Sequence, residues 1–135
     1  MVLGFFSNPY YRLSDIQKKN IRDILQDYDI TLHLNKAGTY GDLDMFYLMP
    51  DDMMIEFYPG DGKKYKHFKN EEKWSSRIKT NKVFDSSIRN RRIAERSDIL
   101  IFDSRKSYEN VKRLVDKKEN VKIFIFSIDG GTEMI

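Results

Sequence analysis

The chain has 135 residues, with 24 Lys or Arg against 21 Asp or Glu, two His and no Cys. That length suits one domain, 1–135, able to bury a core of its own, and the lack of cysteine excludes disulfides, thiolate metal centres and a cysteine nucleophile. The formal net charge of +3 is a smaller excess than a dedicated DNA-binding domain shows, and is compatible with an anionic partner of any size.

Val2 to Phe6 is a short apolar run and predicts a buried strand, broken by Ser7-Asn8-Pro9-Tyr10. Ser14 opens a helix, with Gln17 three residues on completing a capping-box pattern. Ile16, Ile21, Ile24, Leu25 and Tyr28 recur at helical spacing through Asp27. Ile30 to Leu34 reads as the second strand and Asn35 to Gly41 as loop. Asp42 can cap a helix running to about Met49, which Pro50 helps to end. Met53 to Tyr58 is the third strand, stopped by Pro59-Gly60.

From about 60 to 82 the composition turns polar and lysine-rich and reads as an irregular insertion, with a helical turn near Asn70 to Trp74 and a short strand at Lys82-Val83-Phe84. Ser86 or Ser87 starts a helix to Arg96, and Asp98 to Phe102 is a strand. Ser107 starts another helix through Leu114 to Lys118, Asn120 to Phe126 is the last strand, and Asp129-Gly130-Gly131 is a turn or frayed tail. Short apolar strands alternating with helices predict βαβ units and a parallel sheet covered on both faces.

In such a sheet ligands bind beyond the carboxyl ends of the strands, near a reversal of strand order. That selects the loops Ser7 to Arg12, Asn35 to Asp44, Tyr58 to Lys64, Asp85 to Asn90 and Asp103 to Ser107. Several precede helix N-termini, whose free N–H groups favour an anion. Gly38-Thr39-Tyr40-Gly41 lets backbone approach a phosphate, or is an ordinary turn. Arg89 and Asn90 clamp an anion, or belong to a solvated basic face with Arg91, Arg92 and Arg96. Asp42 and Asp44 hold ribose hydroxyls, or cap a helix and sit in solvent. Lys63, Lys64, Lys66, Lys69 and Lys73 among aromatics suit a single-stranded nucleic acid, but a solvated loop is the simpler reading. His33 and His67 lie in no metal-ligand pattern.

Pieces across nearly the whole chain resemble small proteins of the SLOG superfamily. Gly4-Phe5-Phe6-Ser7-Asn8 followed by Leu13-Ser14-Asp15-Ile16-Gln17 is similar to that group's opening segment. Leu32-His33 to Gly41-Asp42-Leu43-Asp44 resembles its "H-H-G-D…G-A-D" segment, and Tyr58-Pro59 its "H-P-P". Ile88-Arg89-Asn90-Arg91-Arg92-Ile93 with Ser97-Asp98-Ile99-Leu100-Ile101 resembles "R-N-R-x-I…S-D-x-L-I", the most specific block, and Val121 to Gly130 the closing strand. The resemblance implies a Rossmann-like three-layer α/β fold with a mostly parallel sheet. It is shared with the lonely-guy phosphoribohydrolases and with ligand-sensing domains of bacterial defence proteins. Those proteins bind nucleotides or nucleotide-derived messengers. This chain departs from the hydrolases where Asp103 to Glu109 replaces their glycine-rich phosphate loop, which weighs against hydrolysis more than against binding.

The expectation is a module that holds a nucleotide, or a cyclic or ADP-ribose-type messenger, without turnover, as sensor or sequestering sponge. A viral inhibitor of nucleotide-based defence would fit that description. Ser7, Asn8 and Arg12 from the first loop, Gly38, Tyr40, Gly41 and Asp44 from the second, and Tyr58 are candidate contacts. So are Arg89, Asn90, Ser104 and Ser107. Tyr10, Tyr40 or Tyr58 would stack on a base. The alternative is a nucleotide N-glycosidase using Asp44 or Glu109. No cofactor, metal, membrane or nucleic-acid partner is expected, a homo-oligomer is, and the absence of a leader or spanning segment makes the cytoplasm the expected compartment.

Overall fold

In a computed structural model, described at residues 1–59, 78–81, 85–127 and 129–135, the described residues form seven strands and four helices. In order they are β1 Val2–Phe6, α1 Asp15–Asp27, β2 Leu32–Asn35, α2 Tyr40–Leu48, β3 Met54–Phe57 and β4 Ile78–Thr80. After these come α3 Ser86–Arg96, β5 Ile99–Phe102, α4 Arg105–Val115, β6 Lys122–Phe126 and β7 Thr132–Met134. One seven-stranded sheet has the order β4-β3-β2-β1-β5-β6-β7, with every pairing parallel except β6 with β7.

Alternation along each strand sorts the apolar side chains into two cores. Leu3, Phe5, Ile55, Phe57, Ile99, Ile101, Phe124 and Phe126 face α1 and α2, meeting Ile21, Ile24, Met45 and Phe46. Phe6, Leu34, Leu100, Phe102, Ile123 and Ile125 face α3 and α4, meeting Ile93, Ala94, Tyr108, Val111 and Val115. The result is the three-layer Rossmann-like sandwich. α1 and α2 cover one face as the chain steps outward from β1 through β2 to β3, and β4 pairs beyond β3 at the edge. The chain then returns to β5 on the other side of β1, and α3 and α4 cover the opposite face. The order of the chain therefore reverses between β1 and β5.

Local chemistry sets the helix starts. Ser14 and Gln17 form the expected capping box of α1. Asp42 does not cap α2. Thr39 is the N-cap, and Asp42 is its reciprocal partner three residues on. Asp85 caps α3 by accepting from the N–H groups of Ser87 and Ile88, one position before the expected serines. Ser104, not Ser107, caps α4. Two strands differ from expectation. Ile78–Thr80, inside the segment expected to be irregular, pairs with β3 as β4, and the turn at 129–131 leads into β7 rather than a frayed end. The Asn70 to Trp74 turn, the Lys82 to Phe84 strand, His67 and the five clustered lysines fall outside the described residues.

Candidate functional site

The reversal places the loops after β1 and β5 side by side at the carboxyl edge of the sheet, with the loop after β2 next to them. The chain here is fixed by carboxylates. Asp103, 3 % exposed at the end of β5, accepts from the N–H of Asn8 at 2.8 Å and 3.0 Å and from Ser104 Oγ at 3.1 Å and Ser107 Oγ at 2.6 Å. Burial still holds this carboxyl above the ordinary aspartate range, outweighing the hydrogen bonds and nearby Lys36. Asp42, fully buried, accepts from the N–H groups of Gly38 (2.9 Å) and Thr39 (3.0 Å) and from Ser7 Oγ (2.9 Å). Asp44 accepts from Leu13 N–H at 3.1 Å and from Arg12 at 3.2 Å and 2.5 Å.

These bonds decide which expected contacts remain free. The Gly38 N–H, Ser7, Ser104 and Ser107 hydroxyls and the Asp44 carboxylate are engaged inside the protein. Tyr58, expected as a stacking ring, is 2 % exposed, and its hydroxyl bonds to Arg96 and Glu56. Glu109, the other carboxylate considered for hydrolysis, is exposed on α4, 3.7 Å from Arg105. Tyr10 and Tyr40 do remain open, at 85 % and 60 % exposure. The Arg12 guanidinium lies 5.8 Å from the centre of the Tyr40 ring. In α2, the first-turn N–H groups of Tyr40 and Gly41 have no intrahelical acceptor.

Cations converge on the same place. Lys36, at the end of β2, reaches over the Phe6 ring (5.5 Å) and donates to the Ser7 carbonyl at 3.3 Å. Burial holds its ammonium below the ordinary lysine range, Arg89 pushes it the same way, and Asp42 and Asp103 oppose them. Arg89 is half-buried, which holds its guanidinium below the ordinary arginine range while Asp42 opposes the shift. Its Nε and the Oδ1 of Asn90 are buried without a hydrogen-bond partner. Asn90 stands one turn before Ile93 and Ala94, on the face of α3 that packs on the sheet. The charges of Asp42 and Lys36 interact with that of Arg89, which sets the first turns of α3 near the carboxyl ends of β1 and β2.

Beneath these groups, His33 is fully buried with its Nδ1 unpartnered and its Nε2 3.2 Å from Asn35 Nδ2. Desolvation lowers its pKa to about 4, so the ring is neutral. Asn35 also holds the Asp42 carbonyl (2.9 Å) and the Ala37 N–H (2.6 Å), and Ala37 takes a positive φ of 55°. This fixes the loop that carries Lys36. The sequence places Asn35, Lys36, Thr39 and Asp103 in the selected loops but gives none of the four a role of its own. Asp103-Ser104-x-x-Ser107 directly after an apolar strand was a readable cap signal, whereas nothing local marks Lys36.

The described residues contain no cluster of metal-ligating side chains and no helix long and apolar enough to cross a membrane. The fold defines the class: an α/β protein of Rossmann-like architecture, with a mostly parallel sheet whose chain order reverses between β1 and β5. No protein-family model, curated protein or solved structure matches the chain.

Proposed function

We propose that a crevice at this reversal binds a nucleotide or nucleotide-derived signalling molecule, of the cyclic or ADP-ribose type, and holds it without turnover as a sensor or sequestering protein. The observation that carries the reading is the pair of neighbouring cations, Lys36 and Arg89, with the Arg89 Nε donor unfilled and suited to a phosphate oxygen, beside an unfilled Asn90 Oδ1 acceptor suited to a ribose hydroxyl or base N–H. A half-buried cation with a buried, unfilled donor is destabilising unless an acceptor completes it. A phosphate on Arg89, Lys36 and the free N–H groups of Tyr40 and Gly41 supplies that completion. Tyr40 and Tyr10, open at the mouth, offer rings on which a base stacks, and the SLOG resemblance of the Arg89-Asn90 block points to the same ligand class. Of the carboxylates considered for glycosidic cleavage, Asp44 is held by Arg12 and the Leu13 N–H and Glu109 is exposed to solvent on α4, so binding is favoured over hydrolysis.

Incubation with a panel of nucleotides and cyclic messengers, followed by mass spectrometry before and after denaturation, tests the reading. Intact ligand released from the protein is the expected result; free base with ribose phosphate would replace binding by hydrolysis. Arg89→Ala should weaken binding by about 1.5–3 kcal/mol, the scale of a charge-assisted contact. An unchanged affinity in titration calorimetry would remove Arg89 from the site.

A further inference from the structure

The outer face of the α3–α4 layer carries charge that the crevice does not use. Residues 86–118, which hold both helices, contain ten Lys or Arg, among them Arg89 and the ion-paired Arg96 and Arg105, and five Asp or Glu, whereas residues 1–59, which supply α1 and α2, contain five and nine. Arg91 and Glu95 of α3, Arg113 and Leu114 of α4, and Lys117 and Lys118 just beyond it line a groove of about 510 Å³. Lys118 serves the fold: its Nζ donates to the carbonyls of Ala94 (2.9 Å), Glu95 (2.7 Å) and Ser97, capping the C-terminal end of α3. Arg91, Arg113 and Lys117 are exposed, and none of them enters an ion pair among the described residues. Lys106 precedes Arg113 by seven residues, which extends the positive stripe along one side of α4.

We propose that this groove docks the phosphate backbone of double-stranded nucleic acid without regard to sequence. The net charge of the chain averages a basic face with an acidic one, which is why composition argues weakly for such a partner. An acidic protein would need an apolar anchor to bury, and the groove offers only the partly buried Leu114. A single strand would need exposed rings, and α3 and α4 expose none. What remains is a row of unpaired cations, which binds phosphates and displaces their counterions. The groove lies along the helices, away from the carboxyl-edge crevice, so this inference stands independently of the nucleotide reading.

Fluorescence anisotropy of the full chain with a labelled mixed-sequence DNA duplex of about 30 bp tests it. Three phosphate contacts predict a loss of about 40-fold in affinity between about 50 and about 200 mM salt. The triple variant Arg91→Glu, Arg113→Glu, Lys117→Glu should bind at least about tenfold more weakly. The variant Lys18→Glu, Lys19→Glu, Arg22→Glu, which changes net charge equally on α1, should bind nearly as the parent does. Equal losses in both variants, an affinity indifferent to salt, no binding at about 50 mM salt, or tighter capture of poly-L-glutamate than of DNA would each overturn the proposal.

Discussion

Lys36 is a poor residue for stability and a good one for holding an anion. Its ammonium is drawn under the protein surface beside Arg89, with a single carbonyl as hydrogen-bond partner. Replacing a buried, incompletely paired charge by an apolar side chain of similar length is often neutral or stabilising. Lys36→Met should therefore keep or raise the urea midpoint while ligand affinity falls at least about tenfold, the scale of one charge-assisted bond. A structural lysine would lose both together. Because the folded protein holds this amine below the ordinary range, affinity should decline as pH rises through its lowered pKa, earlier than for an ordinary lysine. The decline should be absent from Lys36→Met when affinity is titrated across alkaline pH.

His33 makes an opposite demand on pH. Its folded pKa is lowered from 6.5 to about 4, so the unfolded chain binds a proton that the native protein refuses. The stability this neutral ring preserves is complete above pH 6.5 and is lost as pH falls toward 4. A shift of that size amounts to about 3 kcal/mol. Urea unfolding at several pH values in that window should show a shallower acid decline for His33→Gln than for the parent. Equal slopes would mean that the ring charges in the folded state.

At the scale of elements, α3 brings Arg89 and Asn90 to the crevice, and Gly4 sets how closely α3 lies on β1. A Cβ at Gly4 would stand 2.9 Å from Leu100 Cδ2 and 3.0 Å from Ile93 Cγ2, and would also strike the Ser97 hydroxyl. Gly4→Ala should cost about 1–3 kcal/mol, the usual penalty of overpacking. It should also weaken ligand binding, because the helix must move to admit the methyl group. Thermal unfolding read with ligand titration checks both effects. The elements themselves were largely legible. Ser14 with Gln17, and the apolar runs at Val2 to Phe6 and Ile99 to Phe102, mark their structure locally. β7 was not legible, because Thr132–Met134 is exposed along its length and carries no alternation. The site was legible only by position. The loop rule selected the loops that meet at the reversal, and the family resemblance pointed to Arg89, but no sequence pattern could show that Asp42 and Asp103 already fill the nearest backbone donors.

For the whole molecule, the reversal between β1 and β5 is a seam as well as the place of the proposed site. The β1–β5 ladder joins the two halves of the sheet, and beyond its end the chain diverges to α1 on one face and α4 on the other. Asp103 closes that gap by holding Asn8 from one half and the first turn of α4 from the other. Gln17 adds a second tie, donating from α1 to the carbonyls of Asp103 (2.9 Å) and Ser127 (3.2 Å). In Asp103→Ala the serine hydroxyls, 3.1 Å apart, can satisfy each other, but the buried Asn8 N–H is left without an acceptor. One orphaned buried donor costs about 1–3 kcal/mol. Asp103→Asn keeps an acceptor oxygen at the seam and removes a charge that burial disfavours, so it should cost clearly less than alanine. The loop after β1 carries Tyr10 and Arg12 to the crevice mouth, so the alanine variant should also bind ligand more weakly than the asparagine variant. Urea unfolding and calorimetry on the two proteins separate these outcomes. If alanine and asparagine are equally stable and bind alike, the carboxylate does not join the halves.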